Sequence, residues 1–286
     1  MHISIIGLGL IGGSLGLALK QAKWRGAEIT GYVRRPEIGR LAMDIGAVDG
    51  IALSLEESVD KSDLVIISTP VLTIKDILNQ IAPYLPENCI VTDTASTKQQ
   101  VMNWAQNILP PGIAFIGGHP MAGKDLSGLE SAQSDLFLNS TYCLVCGAKT
   151  TLVAEQTLTD IIKAIGANPM KINDREHDDM VAGISHLPFL LSVALVSATT
   201  GHTDWDKMSQ LASTGYRDTT RLASGSPDVN AQICLTNQKA ILHWIDLFAQ
   251  ELKKLENLIA ANDEKIKDAL NSANEAREKW QAKYRQ

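Results

Sequence analysis

Residue types that could do chemistry gather in a few short runs of this 286-residue chain. Gly7, Gly9 and Gly12 form a Gly-x-Gly-x-x-Gly turn directly after the apolar run Ile3-Ser4-Ile5-Ile6. Such a turn suits a strand, a tight reversal and a helix beginning near Leu10 and Ile11, whose N-terminal amides would face a dinucleotide pyrophosphate. A glycine-rich turn with no ligand is the alternative. The next strand, Glu28–Val33, ends where an NAD site places Asp or Glu on the ribose, yet here stand Val33, Arg34 and Arg35. A carboxylate would repel a 2′-phosphate, whereas two guanidinium groups would hold one through charge-assisted hydrogen bonds. The cofactor expected is therefore NADP rather than NAD, against a solvated basic turn. Thr69 and Pro70, just after the predicted strand Asp63–Ser68, complete the candidate cofactor set.

Proton-transfer candidates lie further on. Ser96, after the strand Cys89–Thr92, can hydrogen-bond a base or a cofactor; it also suits the N-cap of a helix opening near Lys98, and the two roles can coexist. His119 sits in Gly117-Gly118-His119-Pro120-Met121-Ala122-Gly123, read as an unusual loop after the strand Ala114–Gly117. Histidine can accept a proton near neutral pH, as oxidation of an alcohol requires. Arg217 and Arg221 are four apart and would share a helix face, where an arginine can clamp a carboxylate; a surface pair between Arg217 and Asp218 is the alternative. His177 and His186 read first as helix-start or core residues and second as substrate-site candidates. Cys143 and Cys146 stand three apart on a strand, so they point to opposite faces and no metal is expected there.

The elements that must position these groups divide the chain in two. Predicted strands at His2–Ile6, Glu28–Val33, Asp63–Ser68, Cys89–Thr92, Ala114–Gly117, Thr141–Cys146 and Pro169–Ile172 alternate with helical segments, the pattern of a Rossmann-type, doubly wound and mostly parallel α/β sheet. From about Asn173 the pattern is helical, with breaks expected near Pro188, Gly201, Gly215 and Gly225, and an exposed helix over 262–286. The expected division is a dinucleotide-binding domain, 1–172, and an all-helical substrate and dimerisation domain, 173–286. Met180 to Ala198 is apolar enough to approach a membrane span but reads as a buried helix. A helical half with so apolar a helix is expected to pair with a second copy. A formal charge of −6 offers no general attraction to nucleic acid or anionic membranes. Four cysteines without a disulfide framework, and a strand starting at residue 2, fit a cytoplasmic protein with no signal peptide.

Several of these runs together resemble the prephenate/arogenate dehydrogenase family of tyrosine biosynthesis. The resemblance rests on the glycine motif from Gly7, on Asp93 to Lys98, on Gly118-His119-Pro120-Met121-Ala122-Gly123, on Ser185-His186-Leu187-Pro188 and on Tyr216 to Arg221. It implies a nicotinamide-binding N-terminal domain, a helical dimerisation domain, and oxidative decarboxylation of a cyclohexadienyl substrate. By motif match, His119 would accept the ring hydroxyl proton, Ser96 would orient His119 and the cofactor, and Arg217 would hold a substrate carboxylate. Many prephenate-using members carry a second histidine where this chain has Phe189, and Asp125 could pair with the ammonium of arogenate. The expectation is an NADP-dependent arogenate dehydrogenase, with prephenate as the alternative substrate. The chain ends soon after the family core, so no added regulatory domain is expected. Competing readings are another two-domain NADP-dependent dehydrogenase, such as a β-hydroxyacid or pyrroline-carboxylate enzyme, and a nucleotide-sensing regulator without turnover.

Overall fold

The computed structural model describes residues 1–123 and 127–284. Eight strands form one sheet: β1 His2–Ile6, β2 Glu28–Tyr32, β3 Gly50–Ile51, β4 Leu64–Ile67, β5 Ile90–Asp93, β6 Ala114–Pro120, β7 Thr141–Cys146 and β8 Asn168–Lys171. Their spatial order is β3-β2-β1-β4-β5-β6-β7-β8, and every neighbouring pair is parallel except β6 with β7. The sheet is thus mostly parallel and doubly wound, as expected. The strand β3 is an addition, two residues long and too short to leave a periodic signal in the sequence.

Central strands are apolar on both faces because helices cover both. In β4, Leu64 and Ile66 join one buried cluster while Val65 and Ile67 join the other, as the two-residue strand period requires. The chain leaves β1 for one side of the sheet and returns at β4 on the other. This order reverses at the carboxyl ends of β1 and β4, where open α/β sheets form their ligand crevice.

The helices of the first half are α1 Leu10–Gln21, α2 Pro36–Asp44, α3 Leu55–Val59, α4 Ile74–Ile81, α5 Gln99–Ile108 and α6 Leu152–Ala164. After β8 the chain is helical throughout: α7 Asp174–Val181, α8 Leu187–Thr200, α9 Trp205–Leu211, α10 Thr214–Thr220, α11 Pro227–Thr236, α12 Gln238–Ala260 and α13 Ile266–Tyr284. Pro188 does not break the chain's helical course as expected. A π turn at Ala182–His186 links α7 to α8, so the missing proline N–H falls opposite a turn already outside the α pattern. Gly215 likewise lies inside α10, whereas Gly201 caps α8.

The chain packs as two units, Met1–Gln238 and Lys239–Gln286. The second holds the rest of α12 and all of α13, with surface ion pairs such as Lys253–Glu256 along its length. Asp174–Thr200 is long and apolar enough to cross a membrane, and only 33% of its most apolar window is buried within this one chain. That differs from the buried helix expected: Val193 and Ile184 are exposed, while Leu187, Phe189 and Ser192 face inward.

Candidate active site

The glycine turn follows directly from the end of β1. Gly7 adopts φ +95°, a conformation that glycine reaches without strain, and its amide donates to the Tyr32 carbonyl at 2.9 Å. At Gly12 a Cβ atom would collide with the Gly7 carbonyl oxygen, so a residue without a side chain is needed for α1 to pack against the turn. Gly9 occupies the N-cap of α1 and no side chain caps that end; a Cβ there would meet open space. The first amides of α1 thus face a crevice, as an anion-binding helix N-terminus requires.

Two cavities meet at Gly9, Ser68, Thr69 and Pro70. One, of about 680 Å³, runs beside the end of β2 and is lined by Gly7, Arg34 and Arg35. The other, of about 880 Å³, runs past Leu10 and Ile11 to Ser96, Ala122 and Phe189. Together they give room for an extended dinucleotide, with phosphates at the glycine turn, one end beside the arginines and the other beside Ser96. The residues present fit that cofactor.

His119 stands at the far end of β6. The expected loop is instead strand: Gly117 to Pro120 continue the ladder, with His119 opposite Cys143 and Pro120 opposite Tyr142. The antiparallel return of β7 supplies the partners that the glycines alone could not reveal. His119 is 8% exposed, and Ala122, three residues further on, lines the larger cavity together with Ser96.

Behind His119 lies a buried polar line. Its Nδ1 is 2.8 Å from His177 Nε2, and His177 Nδ1 is 2.8 Å from Asp178 Oδ1. The Asp178 carboxylate also accepts the amides of Lys98 at 2.7 Å and Gln99 at 2.9 Å, the first turn of α5. A carboxylate eighty residues away in sequence therefore caps α5. Lys98, rather than Ser96, occupies the N-cap position, so the capping role weighed for Ser96 falls to Asp178. Asn237 donates to the Asp178 main-chain carbonyl at 2.7 Å and lies 3.3 Å from His186 Nδ1. Burial first, then the neighbouring His177, Lys98 and His186, hold the His119 imidazole well below its ordinary range, keeping it neutral. Burial also lowers His186 to about 4, against a smaller opposing pull from Asp178.

Lys98 itself is fully buried. Its Nζ pairs with Asp93 and donates to the Gly118 carbonyl at 2.7 Å, while Asp93 Oδ1 accepts the Gly118 amide at 3.1 Å. The residue before His119 is thereby fixed at both its polar groups.

Arg217 lies apart from this line, on an exposed face of α10, where its Nε donates to Asp218 at 3.1 Å. That helix runs into the turn Arg221–Ser224, whose Leu222 and Ser224 line the larger cavity. Asp125 lies outside the described residues. Among the described residues no group of three His, Cys, Asp or Glu side chains is arranged to hold a metal.

Sequence reasoning missed the parts played by His177, Asp178, Asp93 and Lys98. His177 and Asp178 open a helix whose acidic residues suit its dipole, and Asn173 caps that helix by accepting the Glu176 amide at 2.8 Å. The signal that could have separated them from their neighbours is their shared position with Val181 on the inward side of α7.

Residues 15–171 match the family model described as prephenate dehydrogenase, nucleotide-binding domain, and residues 173–272 match prephenate dehydrogenase, dimerization domain. The chain belongs to the prephenate dehydrogenase family. The prephenate dehydrogenase of Bacillus subtilis is 35% identical over 264 residues, covering 91% of this chain and 71% of the relative. Among solved structures, Synechocystis arogenate dehydrogenase is similar with a TM-score of 0.85 at 31% identity, covering 98% of this chain and 100% of that one. Prephenate dehydrogenase from A. aeolicus, in complex with hydroxyphenyl propionate and NAD+, gives a TM-score of 0.91 at 28% identity and covers 98% of each chain. Residues 15–171 are therefore a nucleotide-binding dehydrogenase domain, and the protein is an oxidoreductase of this family. Membership sets aside the β-hydroxyacid and pyrroline-carboxylate readings.

Proposed function

We propose that this chain is an NADP-dependent arogenate dehydrogenase, oxidatively decarboxylating arogenate to tyrosine. The observation that carries the reading is the pair of cavities that share Gly9, Ser68, Thr69 and Pro70, one lined by Arg34 and Arg35 and the other by Ser96 and Phe189. The arginine pair supports the phosphorylated cofactor by charge. Phe189, in the place where many prephenate-using relatives carry a histidine, supports arogenate, as does an acidic residue at Asp125 able to pair with its ammonium.

When bound, the nicotinamide supplies the two-electron acceptor. His119, held neutral by burial, takes the proton of the ring hydroxyl. Ser96 orients it. Arg217 binds a substrate carboxylate by exchanging Asp218 for it. Loss of the ring carboxylate as CO₂ then aromatises the ring and makes the reaction strongly downhill. The exposed apolar side of α8 supports pairing with a second copy, and the free thiols at the four cysteines suit a cytoplasmic enzyme.

The name of the Bacillus subtilis relative favours a second reading, prephenate to 4-hydroxyphenylpyruvate. The deciding experiment follows the absorbance of reduced nicotinamide with each substrate crossed against NADP and NAD. Turnover with arogenate and NADP alone supports the first reading. Better kcat/KM with prephenate overturns the substrate assignment, and equal use of NAD overturns the cofactor assignment. Asp125→Asn should lower the arogenate-to-prephenate ratio of kcat/KM, and an unchanged ratio removes Asp125 from the substrate site.

A further inference from the structure

The line from His119 through His177 to Asp178 contains more information than a set of contacts, because its donors and acceptors can be assigned in order. Asp178 accepts the backbone amides of Lys98 and Gln99, which can only donate, and its side chain has no other use for a proton at those oxygens. The carboxylate is therefore the acceptor toward His177, and His177 Nδ1 carries hydrogen. When each of the two rings carries a single hydrogen, His177 Nε2 has a lone pair and accepts at the 2.8 Å contact. The donor across that contact is then His119 Nδ1–H, which leaves His119 Nε2 unprotonated.

We infer that Asp178, acting through His177, is the positioning residue that sets the tautomer of His119 and so decides which of its nitrogens can take a proton. The inference rests on the reading of His119 as proton acceptor. Proton movement follows the same line. The substrate O–H bond breaks as a bond forms to His119 Nε2. The His119 Nδ1–H bond breaks as one forms at His177 Nε2, and the positive charge comes to rest on His177 against the Asp178 carboxylate. His119, beside buried Lys98, is a poor place for that charge; His177, in contact with a carboxylate, is a good one.

Asp178 Oδ1 accepts from both Lys98 and His177 and Oδ2 accepts from Gln99, so Asp178→Ala is the sharp test: it removes the acceptor facing His177 Nδ1 altogether. His177 is then free to carry its hydrogen on Nε2, the form an unconstrained imidazole favours, and to donate it to His119. His119 Nδ1 would become the acceptor, and His119 Nε2 would carry the hydrogen. The measurement is the pair of ring 15N chemical shifts of His119 at neutral pH in the full-length chain with NADP present, assigned by loss of signal in His119→Asn.

The wild type should show protonated Nδ1 and unprotonated Nε2, and Asp178→Ala should exchange them. kcat should fall at least 100-fold in the variant, with the Kd for NADP changed less than twofold. Wild-type His119 protonated at Nε2 overturns the inference with no variant needed, which covers the case in which Asp178→Ala does not fold. An unchanged tautomer in a folded Asp178→Ala protein overturns it as well. The shifts report independently of turnover. An inactive wild type with the expected tautomer would sink the arogenate reading and leave this inference standing.

Discussion

Lys98 and Asp93 form a fully buried ion pair that takes up both main-chain polar groups of Gly118. The pair does two things at once. It ties the end of β5 to the end of β6, and it fixes the backbone one residue before His119. Neither charge reaches water, so each depends on the other and on the glycine's peptide groups to offset its desolvation.

Lys98→Met should therefore cost about 3–5 kcal/mol of stability, because it strands the Asp93 carboxylate and the Gly118 carbonyl together. Urea unfolding gives the value directly. Adding Asp93→Asn to Lys98→Met should cost less than the sum of the two single changes, since the second change removes the orphaned charge. Purely additive costs would mean that the two side chains do not depend on one another.

Gly12→Ala should weaken dinucleotide binding at least tenfold, a loss of about 1.4 kcal/mol. The added methyl collides with the Gly7 carbonyl and pushes α1 away from the turn whose amides face the cofactor. Fluorescence titration with the reduced dinucleotide measures it. Wild-type affinity in this variant would show that the packing of α1 on the turn does not set the phosphate site.

Replacing Arg34 and Arg35 together by alanine should reduce NADP affinity about 10- to 100-fold, the range of one or two hydrogen bonds to a charged group. NAD binding should stay within a factor of two, because NAD has no 2′-phosphate for them to hold. Calorimetric titration of each cofactor separates the outcomes. An equal loss for both would make the arginines general contributors to the site's potential rather than readers of the phosphate.

The frame of this site was legible in the sequence wherever local pattern determines structure. Gly7 to Gly12, the alternating β segments and the helical second half all follow from short-range spacing. His119 was recognisable from its neighbours, although its strand character depended on β7, some twenty residues later. His177 and Asp178 were not recognisable in their roles. The contact between His119 and His177 joins residues 58 apart, and the cap that Asp178 provides joins residues 80 apart. Only packing of α7 against the first turn of α5 creates either. Arg217 shows the opposite case: its local motif is plain, but its side chain rests on Asp218 at the surface, the alternative that the sequence had also allowed.

Stability should fall in acid over a defined window. His186 is buried, its Nε2 has no hydrogen-bond partner among the described residues, and its pKa is lowered to about 4 from an ordinary 6.5. His119 is lowered in the same direction by burial. In the unfolded chain both imidazoles take up protons as pH drops below the ordinary value, while in the folded protein they resist. The unfolded state thus binds more protons, so stability is full above pH 6.5 and declines as pH falls toward the folded-state value. The His186 shift from 6.5 to about 4 corresponds to about 3 kcal/mol once the whole window has been crossed. Urea unfolding at pH 7.5 and at pH 5 should show a clear loss, with His186→Gln reducing the difference because it removes one of the two titrating groups. A difference between the two pH values that is identical in His186→Gln would mean that this imidazole is not the buried, neutral group the structure describes.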